Sequence, residues 1–254
     1  MLASIQPYLP QLSPGASILV AAVVFAAGVL RGFTGFGFSL AAVPAITLFV
    51  DPAEAVPAIV IVAAVAGAEL LPKAWRAVHW PSMGLLLAGA AAAAPLGTYA
   101  LKALPADIMR AIIGAVVLAA VGLLWRGFRL ETVPPGGVRL GIGALSGLLN
   151  GATGMGGPPV IIYFLATPAG AAIGRASLMV YFFLLSTGST VVNAAGGLVD
   201  IGTIVFAGLM IPFMAAGNRV GGRWFDKAST DHYRRVALWC LSGVAVLGIG
   251  RALL

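Results

Sequence analysis

The sequence is poor in the groups that most chemistry needs. Its 254 residues include one cysteine, Cys240, two histidines and eight acids. A single cysteine excludes an internal disulfide framework and a cysteine-rich metal site. His79 and His232 read as loop residues and Cys240 stands alone in an apolar run, so the nucleophiles or metal ligands of a membrane enzyme are missing. No G-x-x-x-x-G-K-[ST] occurs, which removes a nucleotide-driven pump. Charged residues make up 9% of the chain, against roughly 25% in soluble domains. That scarcity excludes soluble, disordered and nucleic-acid-binding classes.

Hydrophobic residues fill the gap, at 60%. Charge-free runs cover 1–30, 32–50, 55–68, 80–101, 111–125, 140–174, 176–199, 201–218 and 236–250. A helix crossing the hydrocarbon needs about 20 residues, so the runs predict eight apolar segments of an all-α polytopic membrane protein. No stretch between them can bury a core of its own, and residues 1–254 read as one membrane domain. The first fifteen residues carry no Lys or Arg, so they lack a secretory n-region and read as a short lead-in. The net charge of +7 is carried by residues set singly or in small groups between apolar runs, a loop pattern rather than a polyanion-binding one.

The chain repeats itself. Residues 28–37, GVLRGFTGFG, and 147–156, GLLNGATGMG, are identical at Gly28/Gly147, Leu30/Leu149, Gly32/Gly151, Thr34/Thr153, Gly35/Gly154 and Gly37/Gly156, at a spacing of 119 residues. A second echo pairs Asp107–Arg110 with Asp231–Arg234. The Pro/Gly-rich connector 126–138 divides a first repeat, about 15–125, from a second, about 139–254.

Loop charge bears on how the halves are oriented. If all eight segments cross, Lys73, Arg76, Arg126, Arg129, Arg139 and Arg251 oppose Lys102, Arg110, Arg175, Arg219, Arg223, Lys227, Arg234 and Arg235, which gives no orientation. If the first segment of each half breaks at its glycine motif and returns, only Lys102, Arg110 and Arg251 stand opposite the other eleven. That is a strong positive-inside bias. It predicts inverted halves, six full spans, two re-entrant hairpins and both termini outside. Broken helices that cross fully would show the same glycines.

Both motifs, Gly32–Phe38 and Gly151–Pro159, sit near the middle of long apolar segments. Glycine costs about 1 kcal/mol inside a helix and proline about 3, so breaks are expected there. Non-helical backbone survives in a bilayer only when buried in protein or lining a wet cavity. Each break starts a new helix, at about Ser39 and about Val160, whose N-terminal amides favour an anion. Two such ends meeting near the midplane would form an anion pocket, as in transporters with discontinuous helices. Close helix packing through small residues is the plainer explanation of the same glycines. The candidate ligands are Arg31, Gly32, Thr34, Gly35, Gly37, Ser39, Asn150, Gly151, Thr153, Gly154, Gly156 and Gly157. Arg31 is costly in an apolar segment unless it faces protein or water, and its planar donors suit an oxyanion; shallow snorkelling is the alternative.

Glu69 is the only acid well inside an apolar stretch. It reads as a proton-coupling carboxylate, a counter-ion for Arg31, or an interface residue beside Lys73. Arg175, Ser189, Thr190 and Asn193 are weaker candidates for polar lining. Asp51 and Glu54 flank a helix start at Pro52. Trp75, Trp80, Trp125 and Trp224 adjoin charged loops, as an interfacial belt would. No metal or cofactor is called for, and one intramembrane acid is too few for a cation carrier.

The paired motifs Arg31–Gly37 and Asn150–Pro159 resemble the signatures of the TauE/SafE sulfite exporter family, also called toluene sulfonate uptake permeases. The resemblance covers length, segments, repeat and both motifs. It implies a bacterial or archaeal inner-membrane secondary transporter for sulfite or a small organosulfur anion such as a sulfonate. The expectation is alternating access driven by protons or the membrane potential, with a passive anion channel or another small anion as the alternative.

Overall fold

The computed structural model describes residues 10, 12–126, 133–166 and 171–225. All regular structure among them is helical: α1 (Pro14–Thr34), α2 (Phe38–Ile46), α3 (Pro52–Ala74), α4 (Trp80–Ala103), α5 (Ala106–Arg126), α6 (Gly136–Thr153), α7 (Gly157–Ala166), α8 (Ala171–Ala195) and α9 (Ile201–Phe225). Among the described residues, four helices are long and apolar enough to cross a membrane: Pro14–Thr34, Trp80–Ala103, Ile173–Ala195 and Ile201–Trp224. The Asp231–Arg234 echo, His232 and Cys240 lie outside the described residues, as does the Glu69 side chain.

Local chemistry sets the helix boundaries. Ser13 caps α1 by accepting the Ala16 amide at 3.2 Å, and Asp51 caps α3 through Ala53 at 2.8 Å, each with proline opening the helix. The helix after the connector begins at Gly136, inside the stretch 126–138 expected to be loop. Pro135 precedes it and accepts from Val138 and Arg139 at 3.1 and 3.2 Å, so the glycines form its first turn. Likewise α7 begins at Gly157 and not near Val160, because Pro158 and Pro159 fall in a first turn that needs no amide from them.

Both expected breaks are present, and they are built alike. Gly35 (φ 83°) ends α1 and donates to Arg31 O at 2.7 Å; Gly154 (φ 67°) ends α6 and donates to Asn150 O at 2.8 Å. These are left-handed C-caps, where glycine carries no Cβ penalty.

The most extensive packing joins α4 to α6 and α1 to α9. In both pairs, glycines let one backbone lie on the other. Gly32 faces the Asn218 carbonyl and Gly151 the Ala94 carbonyl; Gly28 faces Met214 O and Gly147 faces Ala90 O. A Cβ at any of these would overlap the partner backbone, the close approach that small residues permit in membranes. Residue numbers rise together along both crossings, so the paired helices run parallel.

Cross-links define two ends of the bundle. Lys102 donates to Gly196 O and Arg110 to Thr47 O, both at 2.8 Å, gathering one end. At the other, the His79 amide donates to Ser177 and Arg139 donates to Pro81 O at 2.8 Å. α6 starts at the His79 end beside α4, and Tyr163 of α7 returns to Ser82 there at 2.5 Å. α1 starts beside the start of α9, and Thr47, just past α2, returns to that end. The exposed indoles Trp75 and Trp80 stack edge-on, 4.6 Å apart, at the His79 end.

Candidate functional site

The two breaks meet in one small cleft, with a cavity volume of about 30 Å³. Arg31, Gly37, Phe38 and Ser39 border it from the first break, and Asn150, Gly154, Met155, Gly156 and Gly157 from the second. Ala63 of α3 and Phe182 and Ser186 of α8 close the sides.

Among the described residues, Arg31 is the only charged one on the cleft wall. It is 4% exposed, and its Nε has no partner among the described residues. Its guanidinium lies across Gly67 of α3, where an added Cβ would come within 3.2 Å of Nη2. Beside it, α2 starts without a side-chain cap, and its first internal bond runs from Ala41 N to Gly37 O at 3.1 Å. The Phe38, Ser39 and Leu40 amides therefore have no partner four residues back. A buried cation next to an open helix start is an electropositive site, and among the described residues no acid lines it.

The second break is different. Asn150 Nδ2 donates to Ser189 at 2.7 Å and its Oδ1 accepts from Gly156 N at 3.3 Å. Ser146 donates to Gly156 O at 2.5 Å and accepts from Tyr181 at 2.9 Å. The positions 119 residues earlier, Ala27 and Val62, have no such groups. Pro158 and Pro159 also remove two of the amides that the start of α7 would offer. Both converging helix ends were expected to form the pocket; the donors lie mainly on the first.

Several candidate residues hold the backbone. The Thr34 hydroxyl lies 2.8 Å from Leu30 O and 2.5 Å from Phe36 O and accepts the Phe36 amide. Thr153 donates to Leu149 O at 2.7 Å and accepts from Met155 N at 3.3 Å. Gly32 and Gly151 lie in the helix crossings, away from the cleft wall. Gly35 faces Arg175 and Met179, just as Gly154 faces Val56 and Val60, their counterparts 119 residues earlier. Arg175 Nη2 donates to Gly32 O at 3.0 Å. Thr190 donates to Ser186 O at 2.9 Å, and Asn193 accepts from Thr98 at 3.0 Å.

Ser186 and Phe182 went unnoticed in the sequence. Their signal was the helical spacing of Phe182, Ser186, Ser189 and Asn193 along one face. Among the described residues, no cluster of three His, Cys, Asp or Glu could hold a metal.

The family described as Sulfite exporter TauE/SafE matches residues 20–247. A similar curated protein is the probable sulfite/organosulfonate exporter TauE of Cupriavidus necator, 26% identical over 217 residues, covering 83% of this chain and 85% of the relative. No solved structure matches.

Proposed function

The chain belongs to the sulfite exporter TauE/SafE family, and from that premise we propose that it carries a small sulfur oxyanion or sulfonate across an inner membrane through the cleft between the two breaks. The observation that carries this reading is the buried Arg31 beside the uncapped start of α2, on a wall with no acid among the described residues. Arg31 and the first-turn amides of α2 hold the anion, with Ser39 and Ser186 as hydroxyl donors. Asn150, Thr34 and Thr153 keep the two breaks in shape. The substrate class comes from the name of the Cupriavidus necator relative together with this chemistry.

The transporter works by alternating access between two duplicated, inverted halves, the first up to the connector and the second beyond it. Support comes from the matched contacts: Gly32 on Asn218 as Gly151 on Ala94, and Gly35 under Arg175 as Gly154 under Val56. The loop cations put the His79 end in the cytosol and the Lys102 end, with both termini, outside. Transport is driven by protons or by the membrane potential.

Purified protein in liposomes tests the reading. Saturable sulfite or sulfonate flux that responds to an imposed pH gradient or potential, and that Arg31→Ala abolishes, is the expected result. Unsaturable flux indifferent to both gradients would indicate a channel, and full flux in Arg31→Ala would remove that residue from the site.

A further inference from the structure

Resting on the transport reading, we infer that a polar seam along α8, from Ser186 through Ser189 to Asn193, is the route between the cleft and the Lys102 end, with the Asn193 carboxamide as a second station for the anion. Steps of three and four residues put the three side chains on one helix face. They are 6%, 2% and 0% exposed. Ser186 borders the cleft; Ser189 and Asn193 do not.

Two hydrogen bonds close the seam beyond Ser186. Asn150 Nδ2 reaches Ser189 at 2.7 Å, joining α6 to α8, and Thr98 reaches Asn193 Oδ1 at 3.0 Å, joining α4 to α8. Asn193 Nδ2 is left buried with no partner among the described residues. Buried donors are almost always paired, so an orphan in line with the cleft marks a place for a solute or water. Beyond it, Lys102 binds Gly196 O at 2.8 Å at the end of α8, placing a cation at the mouth.

The seam has no twin. The positions 119 residues earlier on α3 are Gly67, Leu70 and Ala74, which bring no side-chain donor. Its chemistry also suits passage rather than storage. Neutral amides and hydroxyls make weaker hydrogen bonds to an anion than a guanidinium does, so an anion held at Arg31 moves outward onto groups that release it. Moving α8 away from α4 and α6 breaks both closing bonds. The freed Asn150, Ser189, Thr98 and Asn193 donors then stand in for lost water.

Thiol labelling tests this in sealed proteoliposomes, in a Cys240→Ser background that removes the only cysteine. Lys102→Cys marks the side, and Val191→Cys, 65% exposed on the outer surface of α8, is the control that a charged, membrane-impermeant methanethiosulfonate should not reach. Asn193→Cys should react from the Lys102 side only, about tenfold faster when a sulfite gradient drives turnover. Asn193→Leu should cut flux about tenfold, roughly one buried donor's worth, at unchanged sulfite affinity, and Asn193→Ser should restore much of it. Absence of labelling during Arg31-dependent flux, or wild-type flux in Asn193→Leu, would overturn the seam. Labelling from the Lys102 side with flux independent of Arg31 would retire the Arg31 site while leaving the seam in place.

Discussion

Asn150 spans the second break, its Oδ1 taking the Gly156 amide at 3.3 Å. The same side chain donates to Ser189. It holds the wall against which Arg31, the residue at its own repeat position, faces. One repeat position thus carries a buried guanidinium in the first half and a brace in the second.

That division predicts opposite effects on stability. Arg31→Met removes a buried cation whose Nε has no partner among the described residues, so the anion-free protein should gain about 1 kcal/mol or more. Asn150→Ala leaves Gly156 N–H and Ser189 unpaired and should lose about 1–3 kcal/mol. Thermal unfolding in detergent reads both. Sulfite at a hundred times its Kd should stabilise the wild type by about 2.7 kcal/mol and Arg31→Met not at all.

The glycines of the crossings should behave as packing residues. Gly32→Ala and Gly151→Ala each drive a Cβ into a partner carbonyl, at a cost of about 1–3 kcal/mol. Gly141→Ala, with nothing within 4 Å of its Cβ in mid-helix, should gain about 1 kcal/mol. Equal losses at all three positions would show that close approach is not the cause.

Ser146 and Tyr181 act as one unit on Gly156. Ser146→Ala should cost about 1–3 kcal/mol, because both the Tyr181 hydroxyl and the Gly156 carbonyl lose a partner. Tyr181→Phe should cost about 1 kcal/mol, and the double variant less than the sum. Additive unfolding energies would mean that the two are independent.

Acid should loosen the start of α9. The Thr203 amide, then its hydroxyl, donates to Asp200 at 2.7 Å and holds its carboxyl below the ordinary value of 3.8. A folded value below the unfolded one contributes stability above about pH 3.8, lost as pH falls through the lower folded value. Hydrogen exchange at Thr203 and Ile204 should therefore quicken in that acid range. Asp200→Asn should remove the dependence, and an unchanged pH profile in that variant would discount the cap.

Where helices break was readable, because glycine and proline act on the local backbone. Gly35, Gly37 and Gly154 adopt positive φ within the motifs that the repeat singled out. Pro158 and Pro159 also announced the loss of donors in α7, a signal present in the sequence and not used. Side-chain direction was not readable. Thr34 and Thr153 turned back onto their own helices, since a buried hydroxyl finds an i−4 carbonyl before it finds a solute. Gly32 and Gly151 went to packing, because their faces lie toward α9 and α4.

Composition by itself determined that the chain belongs in a membrane: with so few charges, water offers no stable surface for it. Motif spacing determined two breaks, and Arg31 marked one of them as electropositive. Only the tertiary structure decided that the breaks share one cleft, that the first supplies the donors and the second the bracing, and that Ser186 completes the wall. Those outcomes depend on which distant backbone lies against each face, and local sequence carries no record of that partner.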